Sequence, residues 1–159
     1  MGSSTFPTPS VGGRNWVEIA SSTPTGVGTV SFTSLASYNY YRVTYYGDLS
    51  TNSYLYMRLN NSATNYASTI ISGFGSWNSV YGITSSFTFG SNGVGVQQSL
   101  MVTLDNTSGL TTASGTVFSG VGMNSFEGAW FTKEQINRID LTTITGNFSS
   151  GTIKVYGSN

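Results

Sequence analysis

The chain of 159 residues is long enough for one domain with a hydrophobic core, and its charge is sparse and balanced, with six basic and six acidic residues. Affinity for nucleic acid and for anionic membranes comes mainly from lysine and arginine, so this charge argues against both partners. The chain has no cysteine and no histidine, which excludes a disulfide framework, a thiolate zinc site and a Ser-His-Asp arrangement, and we expect no cofactor.

Residues 1–13 are predicted to form an extended arm ahead of a single domain at 14–159. The prolines and glycines of the arm disfavour helix and mid-sheet pairing, and the arm has no charge. It also lacks the basic region and apolar run of a signal peptide, so we expect synthesis in the cytoplasm. The arm is either a disordered tail or a segment docked on a neighbouring subunit, and in the second case Phe6 and Val11 are the expected contacts.

Two alternating runs, 40–46 and 54–61, organise the predicted fold. Successive side chains of a strand point to opposite faces, so each run predicts a half-buried strand. The inward positions are Tyr41, Val43 and Tyr45 in the first run and Leu55, Met57 and Leu59 in the second. Turn residues at 47–53 separate the runs and predict that the two strands pair as an antiparallel hairpin.

Such a hairpin would place four tyrosines in one stripe on its outward face. They are Tyr40, Tyr46, Tyr54 and Tyr56. Tyrosine is enriched at protein interfaces because it adds contact area and a hydrogen bond at small entropic cost. A second sheet or a neighbouring subunit would have to cover this stripe, and we favour a subunit interface.

The rest of the chain alternates between short runs of strand residues and turns. The further predicted strands are 14–20, 29–35, 67–71, 85–89, 96–105, 115–122, 136–141 and 151–156. Most of 72–95 is predicted to be loop, and Thr132 is a plausible N-cap for one helical turn at 132–135. About ten short strands, with turn signals every 8–12 residues, indicate an all-β protein built as an antiparallel sandwich.

Two aromatic residues, Trp77 and Tyr81, lie in the glycine-rich segment that is predicted to be loop. An exposed aromatic ring offers a flat apolar surface on which a sugar ring or a partner's side chain can lie. The other interpretation is that Trp77 caps the open end of the sandwich. Both residues therefore remain candidates for glycan binding.

Three acidic residues, Glu127, Glu134 and Asp140, lie close together in the sequence. Two carboxylates that face each other across a glycosidic bond can hydrolyse it. However, Glu134 and Asp140 lie beside Lys133 and Arg138, and exposed ion pairing accounts for them. We therefore expect no enzymatic activity, and we predict no catalytic or metal-binding residues.

Four motifs in the chain resemble those of a known group of proteins. They are Tyr-Arg-Val-Thr at 41–44; Leu-Tyr-Met-Arg-Leu-Asn at 55–60, followed by Asn65 and Tyr66; Ile-Asn-Arg-Ile-Asp-Leu at 136–141; and Asn-Phe-Ser-Ser-Gly-Thr-Ile-Lys-Val-Tyr-Gly at 147–157. Together they resemble bacteriophage virion proteins with jelly-roll β-sandwich domains. The resemblance covers most of the chain from Trp16 onward.

This resemblance implies an antiparallel jelly-roll sandwich and a place in the virion. Such domains occur as capsid decoration (cement) proteins and as tips of tail fibres, and no catalytic motif transfers to this chain. Because only a short arm precedes the domain, we favour a decoration protein, a homotrimer that binds the major capsid protein on the outer capsid surface. The alternative is a tail-fibre or receptor-binding tip that recognises host surface polysaccharide, with Trp77 and Tyr81 as its contacts.

Overall fold

The computed structural model describes residues 13–72, 77–89, 97–119 and 122–159, with the backbone alone at 72, 77–83 and 119. Within these residues the strands are β1 (Val17–Ser22), β2 (Thr29–Phe32), β3 (Tyr40–Leu49), β4 (Leu55–Leu59), β5 (Tyr66–Ser72), β6 (Trp77–Thr84), β7 (Phe87–Phe89), β8 (Gln98–Asp105), β9 (Thr111–Ser119), β10 (Gly122–Trp130), β11 (Ile139–Thr143) and β12 (Phe148–Ser158). The described residues form no helix, and therefore none that is long and apolar enough to cross a membrane.

The strands form two antiparallel sheets that pack as a sandwich. The larger sheet has eight strands in the order β1-β12-β3-β8-β9-β10-β5-β6, and the smaller has four in the order β2-β11-β4-β7. Eight of the strands pair as one long hairpin folded over on itself: β1 with β12, β2 with β11, β3 with β8, and β4 with β7. Because this long hairpin passes back and forth between the two sheets, its connectivity is that of a jelly roll. The predicted antiparallel jelly-roll sandwich is confirmed.

Two additional hairpins widen the larger sheet. The β5–β6 hairpin follows β4, and the β9–β10 hairpin follows β8. Their four strands continue the larger sheet beyond β8, with β10 and β5 paired to each other. With neighbouring strands about 4.8 Å apart, the larger sheet presents an outer face several strands wider than that of the smaller sheet.

The core lies between the two sheets and is rich in aromatic rings. The predicted inward side chains of β3 and β4 are all buried, namely Tyr41, Val43, Tyr45, Leu55, Met57 and Leu59. Beside them, Tyr66 stacks on Trp130 with ring centroids 5.9 Å apart and meets Phe87 edge-on at 4.9 Å. Pairs of this kind contribute about 0.5–1.5 kcal/mol each beyond the burial of their area. The predicted assignment of inward faces is therefore confirmed.

The predicted hairpin between the runs 40–46 and 54–61 is wrong. In the structure β3 pairs with β12 and β8 in the larger sheet, whereas β4 pairs with β11 and β7 in the smaller. The turn residues at 47–53 therefore carry the chain from one sheet to the other. Each strand has one apolar face, and these faces pack opposite each other across the core, which buries both.

The segment 131–138 has no regular secondary structure, so the predicted helical turn at 132–135 is also wrong. The side chain of Asn60 holds this segment in place. Its Oδ1 accepts hydrogen bonds from the backbone N–H groups of Asn137, at 2.9 Å, and of Arg138, at 3.1 Å. Because an asparagine side chain satisfies these backbone groups, the segment does not need the hydrogen bonds of a helical turn.

Two strands lie in segments that are not predicted as strand. Residues 77–84 form β6, although most of 72–95 is predicted to be loop, and residues 122–130 form β10, although only Gly122 among them belongs to a predicted strand. Neither segment alternates strongly between apolar and polar residues. They are strands because their backbones hydrogen-bond to neighbours, β6 to β5 and β10 to both β9 and β5.

Candidate interaction surfaces

The four tyrosines predicted to form one stripe lie on two different sheets. Tyr40 and Tyr46 belong to β3 in the larger sheet, whereas Tyr56 belongs to β4 in the smaller sheet and Tyr54 directly precedes it. Each pair occupies the outward positions beside inward core residues, so the pairs point away from opposite sides of the sandwich. The continuous stripe therefore does not exist, because the hairpin that would have created it does not form.

Four further predicted contact residues lie where the structure gives no side chain. Phe6 and Val11 lie outside the described residues. Trp77 and Tyr81 belong to β6, which is an edge strand of the larger sheet, and only their backbone is described. The proposed arm contacts of Phe6 and Val11 and the proposed glycan contacts of Trp77 and Tyr81 stay predictions.

Five large apolar side chains lie exposed together on the outer face of the larger sheet. Strand register places Tyr46, Phe118 and Met123 in one row across β3, β9 and β10. Met101 of β8 and Ile71 of β5 lie in the next row. These five side chains, which we call the apolar face, are between 37% and 56% exposed. Single exposed apolar residues are ordinary, but a contiguous group of them marks an interaction site.

Hydroxyl residues occupy the positions between the five apolar side chains. The intervening residues of the two rows are Thr44, Ser99, Thr116 and Ser125. The nearest charge on the β12 side is Lys154, whose Nζ donates a hydrogen bond to Glu18 at 2.8 Å. This bond lowers the pKa of Glu18 and raises the pKa of Lys154, so the pair stays ionised and jointly neutral over a wide range of pH. On this side the apolar face therefore meets a neutral ion pair, whereas Asp48 is the next outward residue after Tyr46 on β3 and Glu127 is the next after Ser125 on β10.

The first residues of the domain lie against the same outer face. The guanidinium of Arg14 lies 3.5 Å from the ring centroid of Tyr40, and that of Arg42 lies 4.2 Å from the ring of Trp16. Cation–π contacts of this kind are worth about 0.5–1 kcal/mol each at exposed sites. They hold the start of the domain against β3, on the side of the molecule that contains the apolar face.

The outer face of the smaller sheet contains a polar pocket of about 170 Å³, which we call the arginine pocket. It is lined by Thr29, Tyr56, Arg58, Asn61, Arg138, Asp140 and Thr142. Asp140 is only 4% exposed, and both of its carboxylate oxygens accept hydrogen bonds from Nε of Arg138 at 2.9 Å. Arg58 lies directly opposite Asp140 on the neighbouring strand. The pocket thus contains two guanidinium groups around one buried carboxylate.

The three acidic residues considered for glycosidic hydrolysis are not brought together. Glu127 lies on the outer face of the larger sheet and Asp140 on that of the smaller sheet, while Glu134 accepts a hydrogen bond from Asn60 at 3.2 Å. A hydrolytic pair has to lie within about 5–10 Å, and the two sheets of a sandwich are already about 10 Å apart. In the part of the chain that the structure describes, no group of three or more acidic, histidine or cysteine residues could hold a metal ion.

The apolar face as a whole could not be predicted from the sequence. One signal was present, because the alternation at 96–105 puts Met101, an apolar residue, at an outward position between inward ones. The alternation at 40–46 likewise puts Tyr46 at an outward position, but Ile71, Phe118 and Met123 cannot be found in this way. That Phe118 and Met123 lie near Met101 depends on the pairing of β8 with β9 and of β9 with β10, which no local pattern determines.

Comparison of the chain with protein-family models, with curated proteins and with solved structures finds no significant match. A functional proposal for this chain therefore depends on two things. One is the chemistry of the two outer faces described above, and the other is the resemblance of its strand motifs to those of phage virion proteins.

Proposed function

We propose that this protein decorates the outside of an assembled bacteriophage capsid as a cement protein and binds the major capsid protein through the apolar face. Four strand motifs that resemble phage virion proteins support the proposal. The jelly-roll fold is compatible with it, since viral capsid domains use this fold. Because a fold alone does not choose a function, the observation that carries the proposal is the composition of the apolar face.

The apolar face has the composition of an interface core. Tyrosine, phenylalanine and methionine are enriched at the centres of protein interfaces, whereas charged residues are depleted there. The apolar face consists of one tyrosine, one phenylalanine, two methionines and one isoleucine, with serine and threonine between them. Fully burying one such side chain contributes about 1.5–3 kcal/mol, so covering five half-exposed ones would contribute several kcal/mol.

The proposed mechanism is stabilisation of the shell by binding its assembled form. A protein that binds only the assembled shell stabilises it by mass action. We propose that it binds as a homotrimer, because three linked contacts raise the effective concentration at each site. The arm at 1–13, through Phe6 and Val11, would add a further contact. The packing of Arg14 on Tyr40 supports this, since the arm then starts on the side of the apolar face.

The proposed contact is tested by virions assembled with variants of the apolar face. Met101→Asp and Phe118→Asp each place a carboxylate where the contact would exclude water, and burying an unpaired carboxylate costs several kcal/mol. We expect the ratio of this protein to major capsid protein in purified virions to fall at least about tenfold. The matched control is Ile144→Asp, because Ile144 is 46% exposed and Met101 is 45% exposed, but Ile144 lies next to the smaller sheet.

Two outcomes would contradict the proposed contact. Unchanged incorporation of both Asp variants of the apolar face would show that the shell does not cover it. An equally large fall in the incorporation of Ile144→Asp would show that an added charge anywhere on the surface has this effect. Thermal unfolding has to show that all three variants are folded. The tail-fibre alternative predicts a different result, namely glycan binding that is lost in Trp77→Ala.

A further inference from the structure

Two cross-strand rows of polar side chains form the floor of the arginine pocket. One row contains Thr29, Thr142 and Tyr56, and the other contains Ser31, Asp140 and Arg58. Outward-facing positions of a sheet usually meet bulk water, yet Asp140 is buried in this row. The neighbouring side chains therefore stand above the sheet and enclose a pocket around the carboxylate, with a volume of about 170 Å³.

The lining of the arginine pocket has a formal charge of +1, from Arg58 and Arg138 against Asp140. Asp140 is already paired with Nε of Arg138, whose Nη2 donates to Ser31 at 3.3 Å. Nε of Arg58 donates to the backbone oxygen of Ser85 at 3.2 Å, but its two terminal nitrogens have no hydrogen-bond partner among the described residues. A guanidinium that lines a pocket can bind a carboxylate in bidentate geometry through two of its nitrogens.

The remaining groups of the pocket match the hydroxyls and the ring of a sugar. Thr29 Oγ1 and Thr142 Oγ1 lie 3.1 Å apart and share one hydrogen bond, which uses one of their two protons, so the other hydroxyl proton can be donated to a ligand. The carboxylate of Asp140 can accept a further hydrogen bond from a ligand hydroxyl. Tyr56 offers an aromatic ring against which a sugar ring can pack, and burial raises the pKa of Tyr56, so its hydroxyl stays neutral.

We propose that the arginine pocket binds one acidic sugar residue, such as a uronate, of a glycan. Arg58 would bind the carboxylate, and Thr142 and Asp140 would bind ring hydroxyls. This site differs from Trp77 and Tyr81, which lie on β6 of the larger sheet. It also lies on the opposite side of the sandwich from the apolar face, so a protein bound to a shell through the apolar face would present the pocket to solvent. The proposal does not rest on the capsid contact, because the purified protein suffices to test it.

The direct test is a titration of the purified full-length protein with sodium glucuronate, followed by NMR of the arginine Nε–H groups. The chain has its own internal control, because Arg58 and Arg138 line the pocket whereas Arg14 and Arg42 pack on the larger sheet. We expect saturable shifts of Arg58 and Arg138 with a dissociation constant of about 1–10 mM, and no saturable shift of the other two. Glucose and sodium acetate, titrated at matched ionic strength, are the control ligands. Glucose has the ring hydroxyls without the carboxylate, and acetate has the carboxylate without the ring.

A pair of variants separates specific binding from general attraction of anions. Arg58→Gln removes the proposed carboxylate ligand, and we expect it to weaken glucuronate binding at least about tenfold. Lys154→Gln removes one positive charge from the larger sheet. We expect the affinity of this variant for glucuronate to stay within about twofold of that of the unmodified protein. The wild-type titration remains informative even where a variant is unstable.

Several results would overturn the proposal. They are the absence of any saturable shift at Arg58, equal shifts at all four arginines, and an unchanged affinity in Arg58→Gln. Acetate or glucose binding as tightly as glucuronate would also overturn it, since an acidic sugar needs both parts of the site. None of these results bears on the capsid contact, which is read from virion composition.

Discussion

The hydroxyl of Tyr66, on β5 of the larger sheet, lies in the core and is hydrogen-bonded to the backbone of β4 in the smaller sheet. It accepts a hydrogen bond from the N–H of Leu59 at 2.7 Å and donates to the carbonyl of the same residue at 3.2 Å. Its ring packs between Trp130 and Phe87. Burial in these surroundings penalises the phenolate and raises the pKa of Tyr66 to about 12.

This shift predicts a loss of stability at alkaline pH. The unfolded chain releases the Tyr66 proton near pH 10.0, whereas the folded protein holds it until about pH 12. Between these values the unfolded state binds fewer protons, so the free energy of unfolding falls as pH rises, by about 2–3 kcal/mol from this residue. Burial raises the pKa of Tyr41 and Tyr45 as well, so they act in the same direction.

This loss of stability is tested by denaturant unfolding of the unmodified protein and of Tyr66→Phe at several pH values from 9 upward. Tyr66→Phe leaves the N–H of Leu59 without a partner and is expected to lose about 1–3 kcal/mol near neutral pH. Its stability should then decline less steeply above pH 10 than that of the unmodified protein. Parallel declines for the two proteins would show that Tyr66 does not hold its proton more tightly in the fold.

At the scale of single elements, β12 contains an irregularity that only glycine can occupy. The register between β12 and β3 shifts between Phe148 and Ser150, and Gly151 has a φ of +120°. A Cβ at Gly151 would overlap the carbonyl oxygen of Tyr46 and the Cα of Gly47, which lies opposite. The closing strand therefore needs glycine both for its backbone conformation and for its close approach to β3.

We expect Gly151→Ala to lower the free energy of unfolding by about 2–4 kcal/mol, measured by denaturant unfolding. Gly109→Ala is the matched control. A Cβ at Gly109 meets no atom within 4 Å, so this variant should stay within about 0.5 kcal/mol of the unmodified protein. Equal stability of the two variants would mean that the bulge in β12 tolerates a side chain.

The faces of the strands could be predicted from the sequence, but their partners could not. Alternation identifies which side chains of β3 and β4 point inward, because burial follows the period of the strand itself. The pairing of the strands depends on the path of the whole chain. The turn residues at 47–53, for example, are compatible both with a hairpin and with a crossing from one sheet to the other. For the same reason β6 and β10, which lack clear alternation, can be recognised as strands only from the strands with which they pair.

For the whole molecule, the jelly roll separates two surfaces of different chemistry. The larger sheet presents the apolar face, with Tyr46 and Phe118 among its members, and the smaller sheet presents the arginine pocket, with Arg58 and Asp140. Both surfaces combine residues from strands far apart in the sequence. Individual residues such as Met101 could be flagged from the sequence, but the surfaces appear only once the strand order is known.

This separation is consistent with a protein that contacts a shell on one side and solvent on the other. If the apolar face covers capsid subunits, every equivalent position of a symmetric shell offers the same contact, and the protein should occupy many of them. A tail-fibre tip would occupy only the few positions of a tail. The copy number per particle therefore distinguishes the two proposals more directly than any single substitution.

The decisive measurement is the number of copies of this protein per purified virion, by quantitative mass spectrometry against the major capsid protein. We expect on the order of hundreds of copies, in a simple ratio to the major capsid protein. A few to a few dozen copies would contradict the capsid contact and place the protein in the tail. Absence from virions would contradict both virion proposals.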